Sequence, residues 1–118
     1  MSFAEIRTVS YRLSGARPDL LNDLPTVRQA LQDSAQAAGL HVLSCAHRTF
    51  TPRGVSLAPI LSVSHLAAHT WPEAGGAHVT ATSCSPASKE AVTAVAGVLT
   101  RALDTHDAQE VTSTVVLL

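Results

Sequence analysis

The chain has 118 residues, 46% of them hydrophobic, and a formal charge of −1, enough for one compact domain whose core needs neither disulfides nor metal. Its eight basic residues are scattered among nine acidic ones, with no clustered cationic face, so nucleic acid is not an expected partner. No apolar run reaches the length of a bilayer, and MSFAEIRTVSYRL lacks the basic and apolar segments of a secretory signal; a soluble, cytoplasmic protein away from membranes is expected.

Residues 5–13 alternate polar and apolar and predict a strand, followed by a loop over SGARPD. Pro25 suits a first helical turn, with Asn22 or Asp23 as cap. Val27, Leu31, Ala35 and Ala38 form a helical stripe that Gly39 ends, so a helix is expected over 24–38. Residues 40–50 predict a second strand and Thr51–Gly54 a turn. Residues 55–66 read as one long strand, with Pro59 marking an edge or a bulge. A turn over HTWPEAGG leads to a strand over 77–84. Ser85-Pro86 is expected to open a second helix with the stripe Val92, Val95, Ala96, Leu99 and Leu103, and 110–118 a last strand. The order β-α-β-β-β-α-β predicts a single α+β domain, a two-layer sandwich of a mostly antiparallel sheet with two helices on one face. TSTVVLL is apolar on both sides, which predicts that a partner subunit covers the open face.

Chemistry-bearing residues concentrate in three stretches: Gly54-Val55-Ser56, Ser62 to Glu73, and Thr82-Ser83-Cys84. Singly, each has a structural explanation: strand serines, surface or turn histidines, a solvated carboxylate, a thiol packed as a small hydrophobe. His65 and His69 lie four apart, and only Cys84 and His78 are available to complete a metal set, which falls short of the tight spacing of structural zinc. A Ser/His/Asp hydrolase is disfavoured too, because no nucleophile-elbow glycines are present and no Asp is placed to orient a histidine. Cys45 and Cys84 are too few for a disulfide framework.

The stretch VSHLAAHTWPEAGG resembles the self-cleavage segment of bacterial S-adenosylmethionine decarboxylase proenzymes. FTPRGVS resembles the family's turn before the strand, RPDLLNDLPTVRQALQDSAQAAGLHVLS its first helix and following strand, and Cys84 stands at the family's distance from the serine. The resemblance implies self-cleavage at Val63–Ser64 into a β chain of residues 1–63 and an α chain of 64–118. A pyruvoyl group formed from Ser64 heads the α chain and forms a Schiff base with the amine of S-adenosylmethionine as CO₂ leaves. It further implies that Ser56 and His69 assist processing and that Cys84 returns the proton. Phe50 stacks on the adenine, Glu73 holds the ribose hydroxyls, and His65 contacts substrate. The product would feed spermidine synthesis, no metal is implied, and the implied assembly is a homodimer of αβ units. Val63 replaces the family's Glu, and Ala74-Gly75-Gly76 and HVTATSC lack its usual aromatic and acidic residues. These departures keep two alternatives in view: a pyruvoyl decarboxylase of ornithine or arginine, and a non-cleaving homologue that serves as a binding or partner subunit.

Overall fold

The structure, a computed structural model, describes residues 5–62, 64–84 and 88–117, the side chains of 110–113 excepted. Strand β1 (Glu5–Ser14) is followed by a short helix α1 (Pro18–Leu21) and by α2 (Leu24–Ala37). Strands β2 (Val42–Thr49), β3 (Val55–Leu61) and β4 (Ser64–Trp71) follow. A single 3₁₀ turn over Pro72–Ala74 leads to β5 (Gly76–Ser83), α3 (Lys89–Ala102) and β6 (Asp107–Leu117). All six strands join one sheet in the order β2-β3-β4-β5-β1-β6, and every neighbouring pair is antiparallel.

Strand alternation fixes which side chains meet the helices. Val9, Tyr11 and Leu13 on β1, Val55, Leu57 and Leu61 on β3, Leu66 and Ala68 on β4, and Ala77 and Val79 on β5 are all buried. They pack against Val27, Ala30, Leu31 and Ala35 of α2 and Val95 and Leu99 of α3, whose spacing of three and four places one stripe inward. The Tyr11 hydroxyl donates to the Val92 carbonyl at 3.0 Å and ties β1 to α3. On the opposite face Ile60 and Trp71 are each 48% exposed, and on β6 Val116 is 50% exposed. A half-covered antiparallel sheet is the expected two-layer arrangement.

The two-layer α+β arrangement predicted from the sequence holds, with four local differences. The long strand expected over 55–66 is two antiparallel strands, β3 ending at Leu61 and β4 starting at Ser64. Pro59 therefore lies in an inner strand rather than at an edge. Registered pairing of β3 with β4 runs through Leu57↔Ala68 and resumes at Ile60↔His65, passing over the residue that has no N–H to give. The turn expected over HTWPEAGG is shorter, because His69, Thr70 and Trp71 belong to β4. The second long helix starts at Lys89, where the Ser88 hydroxyl accepts the Ala91 N–H at 3.0 Å; the expected cap at Ser85-Pro86 lies outside the described residues. The helix expected over 24–38 is borne out, with the Asp23 side chain accepting the Thr26 N–H.

Candidate functional site

The β3–β4 hairpin carries Ser64 at one end and the Ser56–His69 pair at the other. Ser64 opens β4 and registers with Ser83 of β5, which in turn registers with Arg7 of β1. Arg7, Ser83 and Ser64 thus form a row across three strands on the helix-facing side, the side that buries Val9, Tyr11 and Leu66. They border a cavity of about 180 Å³ between the sheet and helices α2 and α3, lined also by Tyr11, Ser34 and Val95. Ser64 Oγ and Arg7 Nε are both buried, and neither has a hydrogen-bond partner among the described residues. Cys84 directly follows Ser83 at the end of β5 and is exposed. Val63, the other half of the expected cleavage site, lies outside the described residues.

The other end begins with the turn from Phe50 to Gly54. The Phe50 N–H donates to the Gly54 carbonyl at 2.9 Å, and the Gly54 N–H donates to Asn22 Oδ1 at 2.8 Å. Gly54 has φ +106°, and a Cβ there would meet the Thr70 carbonyl oxygen at 3.2 Å, so the glycine of GVS is a backbone requirement. Thr70 braces the same turn from β4: its Oγ1 accepts the Val55 N–H at 2.9 Å and donates to the Leu21 carbonyl at 2.8 Å. These bonds hold Ser56 beside its register partner His69, with Ser56 Oγ 2.6 Å from His69 Nδ1. Phe50, Arg53, Trp71 and Glu73 complete an open depression of about 300 Å³ on the uncovered face. The His69 and Trp71 rings lie 6.4 Å apart in a tilted pair.

The structure therefore brings Ser56, His69, Phe50 and Glu73 together and sets Ser64 and Cys84 close to one another elsewhere. Ser64 and His69 are five positions apart along one strand, about 16 Å at the usual rise, and the odd offset puts them on opposite faces. His65 is exposed on the uncovered face, paired in register with Ile60 and Thr82. Among the described residues no three His, Cys, Asp or Glu side chains converge to hold a metal ion. Arg7, one of the scattered basic residues, is not among the site residues expected from the sequence. The signal was present: Arg7 shares the odd parity of Val9, Tyr11 and Leu13, the buried positions of its strand.

The sequence profile described as S-adenosylmethionine decarboxylase matches residues 7–116. The chain belongs to the S-adenosylmethionine decarboxylase family. Over 78 residues it is 41% identical to the S-adenosylmethionine decarboxylase proenzyme of Pelotomaculum thermopropionicum, covering 66% of this chain and 62% of that relative. It is 42% identical over 78 residues to that of Carboxydothermus hydrogenoformans, covering 66% of this chain and 61% of that relative. Each matched stretch thus spans less than two thirds of the relative's length. The crystal structure of the adenosylmethionine decarboxylase from Aquifex aeolicus superposes with a TM-score of 0.75 at 22% identity, over 98% of this chain and 90% of that one; this family member has the same fold.

Proposed function

We propose that the chain is a self-cleaving, pyruvoyl-dependent S-adenosylmethionine decarboxylase proenzyme, cut between Val63 and Ser64 and supplying decarboxylated S-adenosylmethionine for spermidine synthesis in the cytoplasm. The observation that carries this reading is the Ser64 hydroxyl itself. It stands at the first residue of a strand, buried and without a hydrogen-bond partner among the described residues, where an ordinary buried serine would be satisfied. A hydroxyl held away from water and from competing acceptors is free to turn on the carbonyl that precedes it.

The residues around Ser64 suit a pyruvoyl group, since a small planar carbonyl replaces an unsatisfied hydroxyl in a cavity lined mostly by apolar side chains. Such a group supplies an electrophilic carbonyl that takes up the substrate amine and draws electrons away as CO₂ leaves. In this reading the thiol of Cys84, next to the Ser83 that registers with Ser64, returns the proton to the substrate's α-carbon. Phe50 and Trp71 offer aromatic faces for an adenine, and the exposed Glu73 carboxylate offers two acceptors for ribose hydroxyls. His69, hydrogen-bonded to Ser56, is a base within that same depression. One small molecule does not span from this depression to the Ser64 of the same chain, around the sheet. In this reading the substrate is recognised where two copies of the chain meet, and the homodimer closes over the uncovered face.

Intact-mass spectrometry tests the reading. Two fragments dividing at Val63–Ser64, with the C-terminal one blocked by a pyruvoyl group, are expected. A single mass of the whole chain after long incubation overturns it and moves the assignment to a non-cleaving homologue. Cys84→Ala should still cleave while losing CO₂ release from labelled S-adenosylmethionine; loss of cleavage instead would remove Cys84 from the proton-return role.

A further inference from the structure

The open depression on the uncovered face is lined by two opposite charges that do not meet. Arg53 comes from the turn between β2 and β3, and Glu73 from the 3₁₀ turn after β4. Both residues are exposed, and neither is hydrogen-bonded or ion-paired among the described residues. Ser56 and His69, by contrast, are already bonded to each other. Phe50 and Trp71, each about half exposed, line the same depression. Phe50 and Arg53 belong to one turn, which the Phe50 N–H closes on the Gly54 carbonyl at 2.9 Å.

A guanidinium offers donors only and a carboxylate acceptors only. A ligand that satisfies both carries acceptors and donors in separate places, with a flat body for the aromatic faces. A purine nucleoside has that distribution: its ring nitrogens accept and its ribose hydroxyls donate. Glu73 takes the hydroxyls in the reading above, so the free donors of Arg53 are left for the ring nitrogens. The substrate's carboxylate is the other acceptor on offer, and its position sets it aside. It shares a carbon with the amine taken up at Ser64, so it belongs at that end of the substrate. A guanidinium bound to it would also stabilise the ground state and oppose loss of CO₂.

We propose that Arg53 is a specificity-determining residue, its guanidinium donating to a ring nitrogen of the substrate's adenine. The inference rests on the decarboxylase reading above and adds the group that reads the base, since stacking alone accepts any purine-like face.

The test measures the affinity of adenosine and of its 1-deaza, 3-deaza and 7-deaza analogues, in each of which a C–H replaces one ring nitrogen. Isothermal titration calorimetry gives the dissociation constants for wild type, Arg53→Met and Arg53→Lys, with Trp71 fluorescence as a second readout and melting as a check of folding. One hydrogen bond to a charged donor is worth about tenfold or more in affinity, so one of the three analogues should bind wild type that much more weakly than adenosine. Arg53→Met should bind adenosine about tenfold more weakly than wild type does and should no longer distinguish it from that analogue. Arg53→Lys should retain part of the difference. A full penalty for the analogue that persists in Arg53→Met overturns the proposal, because another group then reads the nitrogen. Equal binding of adenosine and all three analogues by wild type overturns it as well, as does a wild type that decarboxylates S-adenosylmethionine yet binds no adenosine. A raised KM for S-adenosylmethionine in Arg53→Met, with adenosine binding unchanged, puts the guanidinium on the carboxylate and overturns it too. Failure of wild type to cleave and release CO₂ is a separate result, read from mass and product rather than from binding, and removes the decarboxylase reading itself.

Discussion

The two ends of the β3–β4 hairpin handle their polar groups in opposite ways. At the Ser56 end the side chains are exposed yet paired, with the serine hydroxyl 2.6 Å from an imidazole and aromatic residues open to solvent. At the Ser64 end the hydroxyl is buried yet unpaired among the described residues, beside the cavity between the sheet and helices α2 and α3. Pairing in water gains little and constrains little, whereas an unsatisfied buried group retains its full capacity to react. In the proposed reading bond-making belongs to the covered end and substrate recognition to the open one.

The strongest way to break this contrast is to delete each hydroxyl in turn. Ser64→Ala should abolish cleavage, leaving one mass for the whole chain, because no other atom in that position can take the acyl group. Ser56→Ala should slow cleavage without preventing its completion over hours. Complete loss in both variants would show that the two ends act as one site in the reacting state, and the division of labour would be wrong.

Packing gives the next largest effect. Leu66 is 3% exposed beside the Ser64 cavity, while Trp71 on the open face is 48% exposed. Leu66→Ala should lower the unfolding free energy by about 2–5 kcal/mol, and Trp71→Ala should change it by no more than about 0.5 kcal/mol. Denaturant titration of the two variants measures both. A comparable loss in Trp71→Ala would mean that a second copy already covers the open face in solution. Trp71 is the only tryptophan, so its fluorescence in the wild type reports independently on whether an adenine ring enters the depression.

Much of this arrangement is legible in the residues before any coordinates. The stripes of α2 and α3 and the alternation of β1 follow from period alone, and the HTWPE and GVS segments identify the hairpin. The division of 55–66 into two strands was hidden because Leu61-Ser62-Val63-Ser64 contains no glycine, proline or asparagine to mark a reversal. The separation of Ser64 from Ser56 was hidden for the same reason. A single continuous strand from 55 to 66 puts both serines on one face, eight residues apart, whereas the reversal sends them to opposite faces. Arg7 shows the converse case, a position that period exposes and residue type disguises.

Gly54 sharpens the comparison at the open end, because there the backbone and not the side chains sets the geometry. Gly54→Ala should cost about 1–3 kcal/mol, from a φ of +106° that other residues adopt only under strain, and should weaken the Ser56–His69 pair. The imidazole NMR signals of His69 would shift on mutation. An unchanged melting curve and unchanged signals would show that the turn tolerates another backbone path.

The smallest effect is expected at Arg17 and Asp19, an ion pair outside both ends. Arg17 Nε and Nη2 donate to the two Asp19 carboxylate oxygens at 3.1 and 2.7 Å. This side-chain hydrogen bonding holds the Asp19 carboxyl below its ordinary value. A depressed carboxylate contributes stability above the unfolded-chain value of about 3.9 and loses it as pH falls through the folded value. The pair is fully solvated, so that contribution is screened. Arg17→Ala should melt with wild type at pH 7 to within the scatter of replicate scans. Any residual difference should vanish in acid, as Asp19 protonates in both proteins, and in molar salt. A drop of several degrees at pH 7 that survived molar salt would show that Arg17 contributes through packing rather than charge. That result would locate a stabilising contact at the start of α1, the helix whose Leu21 carbonyl accepts from the Thr70 hydroxyl and so helps hold the turn that carries Ser56.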